Sequence, residues 1–534
     1  MSVPAAELRA PAIPAGRAPA LDALAVRLAG GRVYLGLGAA ALTLAALSLL
    51  IPSTPSYDPW AWLVWGREIV HLKLHTTGGP TWKPLPVVFT SVFALFGKAA
   101  PDLWLVVARA GALMAAAMVF KVSARITYAL APRERALVPA LLAAVITTVS
   151  IVGSRGFISD NALGYSEGLM TALVLMTLDS HLDGRYRRAF AIGFFAALDR
   201  PELWLAWGPY GLWLFWKDPG ARKLVIALFA LIPVLWFLPE YWGSGHFLRG
   251  VNRAQHPRSN SPAFAKCPFC TEFTKHAWPT ILLRVKVVAG IAIAMAAAGL
   301  WRVRTALLRP GLLAAGDRAR ITLIATGLGG LAWWVLIGVL TQAGFSGNDR
   351  YLVLGAALVA IAGGVGWGWA AAGIAALLRR VPRVAQLRPG TVIPAAGVAV
   401  VAAVFLALPP WVGGQLVDVQ ATHRALVYQA HLREDMAAAV RKVGGPSKIL
   451  ACGSVMTEGF QVPMLAWNLG VHTITVQASP LTLAQLPPAP NVIFQTRAQR
   501  HSHLLPVVRA WQGLHYRLVA RVRSFSVYEQ GCRG

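Results

Sequence analysis

Residues 56–83 read SYDPWAWLVWGREIVHLKLHTTGGPTWK and stand between apolar runs at about 33–52 and 84–96. The segment therefore belongs at a membrane face. It lacks the composition of a tether: it holds Trp60, Trp62, Trp65 and Trp82, an acid behind a tyrosine (Tyr57, Asp58), His71 and His75, and a Gly78-Gly79-Pro80 break. Pro59 suits the first turn of a helix, with Asp58 as its N-cap. From there to His75, Trp62, Trp65, Ile69 and Leu72 share one face, and Arg67, Glu68, His71 and His75 the other. That pattern predicts a helix lying in the interface plane with its tryptophans at headgroup level.

The chain around it has 534 residues, 56% hydrophobic and only 13% charged, roughly half the charged share of a soluble protein. Several apolar runs reach about 18–25 residues, enough to cross a hydrocarbon core as helices. The fold class is mainly α, a polytopic helical membrane bundle. A net charge of +28 in a soluble chain would point to nucleic acid. Here the basic residues sit in short loops between apolar runs, where they orient helices and meet anionic lipid, so membrane lipid is the expected partner and nucleic acid is not. Abundant Ala, Gly and Arg with little Lys fits a GC-rich bacterial genome.

Arg9, Arg17, Arg27 and Arg32 precede the first apolar run. They place a basic tail, residues 1–32, in the cytoplasm and residues 56–83 outside the inner (plasma) membrane. The first run is longer than a signal-peptide core and reads as a retained span. The run 84–96 is too short to cross and reads as a juxtamembrane or re-entrant helix. Counting onward gives about eleven spans within residues 33–412, with arginine-rich cytoplasmic loops at 302–320 and 379–388. Residues 413–534 differ in composition. A helix-like stretch (423–443), KILACG read as a strand, a second helical pattern, then HTITVQA, NVIFQT and two β-rich runs predict a small extracytoplasmic α/β domain.

Four polar stretches fall on the same side, 56–83, 153–168, 240–275 and 342–351, and carry Asp58, Glu68, Asp160, Glu167, Glu240, Glu272 and Asp349. Acids at membrane depth are costly and have a partner or a task. Each residue carries a plain structural alternative. Asp58 serves equally as N-cap or as a base. Glu167 is either a first-turn acid favoured by the helix dipole or part of a site, and Arg200 with Glu202 either pairs at a helix hinge or faces a ligand. Lys83, His246, Arg249 and Arg350 either anchor helices or bind phosphate. Cys267-Pro-Phe-Cys270 has no second pair to make a zinc site and fits a local disulfide, while Cys452 and Cys532 are placed to pair within the C-terminal domain. No phosphate-binding glycine loop precedes a suitable helix.

In the order of these features the chain resembles the integral-membrane GT-C glycosyltransferases, which use polyprenyl-phosphate sugars and include bacterial mannosyl-, arabinosyl- and aminoarabinosyl-transferases. The resemblance rests on Asp58 in SYDPW soon after the first span, the Gly78-Gly79-Pro80 turn, Ser166-Glu167-Gly168 entering a helix, Arg200-Pro201-Glu202 between short spans, and Asp349-Arg350-Tyr351 opening a late span. It covers roughly the first 370 residues. Many members carry paired acids in the first loop, whereas Pro59 follows Asp58 here, so Asp58 acts alone or with Asp160 or Glu167 as supporting acids. No metal ligand set is evident, and a divalent cation stays open as a cofactor.

What the resemblance implies is an inverting transfer of a hexose or pentose from a polyprenyl-phosphate donor to a cell-envelope glycan, lipid or protein, in cell wall biosynthesis. Asp58 would be the base, Lys83, Arg350 and Arg249 would bind the donor phosphate, and Tyr57, Trp60, Trp82, Arg200 and Glu202 would contact sugar or lipid. The alternative is a polytopic transporter or flippase for a lipid-linked sugar. That class builds on inverted repeats, and none is evident.

Overall fold

The computed structural model describes residues 32–130, 137–257, 261–303, 314–381, 392–408, 416–480, 482 and 486–532. The tail 1–32, except Arg32, most of the two arginine-rich loops and the junction at 413 lie outside the described residues.

The order of elements begins with α1 (Arg32–Leu47), α2 (Tyr57–Val70), α3 (Pro84–Ala94), α4 (Ala100–Leu130), α5 (Leu137–Val152) and the short α6 (Phe157–Ala162). Next come α7 (Glu167–Leu182), α8 (Tyr186–Asp199), α9 (Trp204–Lys217), α10 (Arg222–Ser244), α11 (Arg249–Ala254) and α12 (Pro268–Thr271). The bundle ends with α13 (Leu283–Arg302), α14 (Ala315–Gln342), α15 (Val353–Leu378) and α16 (Val392–Ala407).

The chain is a polytopic helical membrane bundle with a small C-terminal sheet domain. Among the described residues, six helical stretches are long and apolar enough to cross a membrane: Val33–Leu50, Gly97–Leu130, Pro219–Ser244, Leu283–Arg302, Gly316–Gln342 and Asp349–Leu378. The expected count of about eleven is met only as helices. Five of them (α5, α7, α8, α9 and α16) have 14 to 16 residues, about 21–24 Å at 1.5 Å per residue, short of a hydrocarbon core of about 30 Å. The polar residues Glu167 and Asp199 sit at the ends of two of these short helices rather than in their middles.

α15 is the bundle's central helix, and its glycines let neighbours reach its backbone. A Cβ on Gly364 would lie 2.0 Å from Thr147 Oγ1 on α5, and one on Gly363 would lie 2.4 Å from the Val285 carbonyl on α13. Small residues at such crossings replace the hydrophobic driving force that lipid cannot supply.

The C-terminal domain comprises α17 (Val419–Val443), α18 (Pro446–Cys452), β1 (Val455–Thr457), α19 (Val462–Leu469), β2 (Val476–Ala478), β3 (Val492–Arg497), β4 (Leu504–Leu505), β5 (Arg517–Arg521) and β6 (Ser526–Glu529). The strand order is β2-β1-β3-β6-β5, with β4 on β3. β1 runs parallel to β2 and β3, and β6 antiparallel to β3 and β5. KILAC is helix, not strand; the strand begins three residues later at Val455. Periodicity does not separate helix from strand in so short an apolar run. Both disulfides, Cys267–Cys270 and Cys452–Cys532, are formed.

α2 turns its tryptophans to protein, not to lipid headgroups. Trp60, Trp62, Leu63, Val64 and Trp65 are all buried, in one core with Leu432, Met436, Val462, Leu465 and Phe494 of the C-terminal domain. The helix is apolar on more than one face because it is covered on more than one face. α3 covers one side so closely that a Cβ on Gly66 would lie 2.4 Å from the Thr90 carbonyl carbon. The domain clasps the far end: Arg67 donates to the carbonyls of Trp467 (3.1 Å) and Val471 (2.8 Å). Glu68, buried here rather than solvated, accepts from the His75 amide and meets His472 at 2.8 Å.

Candidate functional site

Five segments far apart in sequence meet at the end of the bundle that carries the C-terminal domain. α2 begins at Tyr57 with Ser56 at the N-cap position and no side-chain cap. Asp58 is therefore not the cap. It stands one residue inside the first turn, which frees its carboxylate to leave the helix and reach Arg350, with Nη2 at 2.5 Å from Oδ2. Both side chains keep a little exposure, 13% for Asp58 and 14% for Arg350, so the pair lies at the mouth.

Beneath it sits Glu167, the first residue of α7, 3% exposed. Its Oε1 is shared among three cations: Arg200 Nη2 at 2.8 Å, Arg350 Nε at 3.4 Å and Lys83 Nζ at 3.5 Å. Lys83, at the N-cap position of α3, donates to Ser166 Oγ (3.0 Å) and lies 3.9 Å from Asp199. Arg200 also meets Glu202 at 3.2 Å. Two tyrosines wall the cluster, with the Arg350 guanidinium 3.9 Å from the Tyr165 ring centroid and that of Arg200 3.5 Å from Tyr351. The Tyr165 hydroxyl is tied to Ser56 Oγ at 2.9 Å.

A charge cluster this deep survives only because its members neutralise one another, since each ion alone would cost several kcal/mol to desolvate. The pairing is incomplete. Glu167 Oε2, Glu202 Oε2 and Arg200 Nε have no hydrogen-bond partner among the described residues, where native proteins satisfy nearly all such groups. The cluster thus holds the Asp58–Arg350 pair at its mouth, Lys83 and Arg200 around Glu167 below it, and unused hydrogen-bonding capacity on both signs. Among the described residues no three His, Cys, Asp or Glu side chains are arranged to hold a metal ion; at Asp58, Arg350 occupies the place of a counter-ion.

Of the residues singled out in the sequence, Asp58, Lys83, Glu167, Arg200, Glu202 and Arg350 come together. Asp160 on α6 lies beside them, half-buried, and burial pushes its carboxyl up to about 7 against the pull of Arg350. Arg249 does not join. It donates to the carbonyls of Thr77, Gly79 and Pro80 and pairs with Glu240 at 3.6 Å. It fixes the turn in which Gly79, at φ +99°, brings its backbone against the Trp65 ring. Glu240 is part of α10 rather than of an external loop. Trp60 and Trp82 present no open face: Trp60 packs on Trp467, and Trp82 on Trp65 while donating to the Leu235 carbonyl. Tyr57 stands edge-on to Phe460 of the C-terminal domain. Tyr165, Ser166 and Asp199 also belong to the cluster; Ser166 and Asp199 directly adjoin the expected Glu167 and Arg200, and Tyr165 lies two positions before Glu167.

The fold and the cluster define a polytopic membrane protein with a buried, mutually neutralised ion cluster under a C-terminal α/β domain. No protein-family model and no curated protein matches the chain. Among solved structures it is similar to two crystal structures of ArnT from Cupriavidus metallidurans. The one bound to undecaprenyl phosphate has 15% identity and a TM-score of 0.48 over 93% of this chain and 98% of that one. The apo state has 15% identity and a TM-score of 0.47 over 96% and 98%.

Proposed function

We propose that the protein is a glycosyltransferase of the bacterial inner membrane. It moves a hexose or pentose from a polyprenyl-phosphate donor to a hydroxyl of a cell-envelope glycan, lipid or protein. The observation that carries this reading is the Asp58–Arg350 pair at the mouth of the cluster, a carboxylate base and a phosphate-binding cation held in one contact. The N-terminus is cytoplasmic and the C-terminal domain extracytoplasmic, following the arginine bias of the loops. The three-part division at about residues 32 and 412 belongs to the same reading.

In this mechanism the donor phosphate competes with Asp58 for Arg350. As Arg350 turns to the phosphate, the Asp58 carboxylate is released to accept a proton from the acceptor hydroxyl. The acceptor oxygen attacks the anomeric carbon from the face opposite the phosphate. The carbon–oxygen bond to phosphate breaks, the electron pair leaves with polyprenyl phosphate, and configuration inverts. Arg350, with Lys83 and Arg200 behind it, stabilises the charge growing on the departing oxygen. Tyr351 and Tyr165 keep the two guanidiniums oriented while partners exchange.

The test uses the full chain in lipid nanodiscs with radiolabelled polyprenyl-phosphate hexoses and pentoses, scoring release of polyprenyl phosphate and movement of label. Turnover by wild type that falls by about a hundredfold or more in Asp58→Asn supports the reading. Label crossing the bilayer in proteoliposomes with the sugar still attached to its lipid would instead make the protein a flippase.

A further inference from the structure

Arg350 belongs to the turn Asp349–Leu352 that opens α15, and that turn is fixed from three directions. Trp333 Nε1 donates to the Tyr351 carbonyl (2.7 Å) and Trp334 Nε1 to the Leu352 carbonyl (3.1 Å), both from α14. The third hold is on Asp349, whose carboxylate contacts Nδ1 of His276. His276 comes from a π-helical turn, Glu272–Ala277, a geometry that recurs at functional sites. That turn follows directly on α12, which the Cys267–Cys270 disulfide closes. α12 is in turn tied to α14 by the Phe269 amide, which donates to Gln342 Oε1 (3.1 Å). One turn before His276 lies Glu272, fully buried, with neither carboxylate oxygen hydrogen-bonded. Gly347 gives it room, since a Cβ there would stand 2.6 Å from Glu272 Oε2.

We propose that His276 is a positioning residue for Arg350, holding the turn at 349–352 in the register that the contacts with Asp58 and Glu167 require. It rests on the reading of Asp58 and Arg350 as the working pair. The tryptophan bonds are neutral and fix the C-terminal part of the turn; the histidine holds its first residue, one position from Arg350, through a charge contact that solvent weakens, since the Asp349 side chain is 72% exposed. The groups facing His276 are Asp349, Glu272 and Lys275, and Arg155 also faces Asp349. Asp349 raises the affinity of the imidazole for its proton, and burial pushes the Glu272 carboxyl up to about 7. The sign follows. A group whose folded pKa is raised supports its contact below the ordinary imidazole range and loses it as pH rises through the raised value. The hold on Arg350 is therefore firmest at the acid end of the range and is lost as pH rises through the raised value.

The experiment follows amide hydrogen exchange of peptides covering 349–352 in the full chain in nanodiscs, corrected for intrinsic rates, from about pH 6 to about pH 9. Wild type is expected to lose protection as pH rises through the range. His276→Gln should exchange about two- to fivefold faster at the acid end of the range, with the pH step reduced, and His276→Lys should restore protection and move the step higher. Unchanged wild-type protection across the range overturns the proposal even if His276→Gln does not fold, and so does His276→Gln exchanging like wild type. Undecaprenyl phosphate binding, measured on the same samples, separates the two readings. Wild type that never binds it counts against the donor-phosphate role of Arg350, while the exchange data still decide whether His276 positions the turn.

Discussion

Asp58 and Arg350 are 292 residues apart in sequence and meet at 2.5 Å. The pair joins the first turn of α2 to the turn opening α15, and so locks the loop under the C-terminal domain to the central helix of the bundle. In the proposed reaction it also keeps the carboxylate occupied until the guanidinium finds another anion.

Asp58 and Arg350 should therefore be strongly non-additive. Asp58→Asn and Arg350→Lys are each expected to lower turnover about a hundredfold or more, and the double variant little further. Lysine keeps the charge but not the fork that reaches Asp58 and Glu167 together. Turnover of the four proteins on one donor gives the coupling, and multiplicative losses would mean that the two act independently.

Glu167 balances three cations at once, so removing its charge leaves them facing one another in a buried setting. Glu167→Gln is expected to cost about 3–5 kcal/mol of stability, read as a lowered melting temperature in detergent. Glu202 pairs with Arg200 alone, so Glu202→Gln should cost clearly less.

Asp160 supplies a pH signature. Burial raises its carboxyl from 3.8 to about 7, so over that window the folded chain keeps a proton that the unfolded chain has released. Stability must then fall as pH rises through the window. Melting curves at about pH 5 and about pH 8 should show a larger drop for wild type than for Asp160→Asn, which has no charge to acquire.

The Cys452–Cys532 disulfide spans 80 residues and encloses the whole sheet. Loop-closure entropy of that length is worth about 4 kcal/mol. Cys452→Ser should expose residues 453–532 to limited proteolysis under conditions where the bundle stays intact, and an unchanged digestion pattern would contradict this.

The membrane class and most of the membrane helices follow from composition and apolar run lengths, because a hydrocarbon solvent tolerates few ways of arranging twenty apolar residues; the C-terminal α/β domain follows from its alternating helix-like and β-rich runs. Asp58, Lys83, Glu167, Arg200, Glu202 and Arg350 stood out as charges at the ends of apolar runs, where an ion needs a partner. Which partner each one takes was not legible. Periodicity assigns a residue to a face but not to what covers the face, so Trp60 was read as facing sugar or lipid when it packs on Trp467. Arg249 had the type and location of a phosphate ligand, yet three backbone carbonyls of the 77–80 turn claim its donors. Local physics makes Asp58 a plausible cap and Glu167 a plausible first-turn acid. Only the closure of the bundle brings Arg350 to both, because a contact across 292 residues is set by how α15 seats among its neighbours and not by anything near either end of the pair.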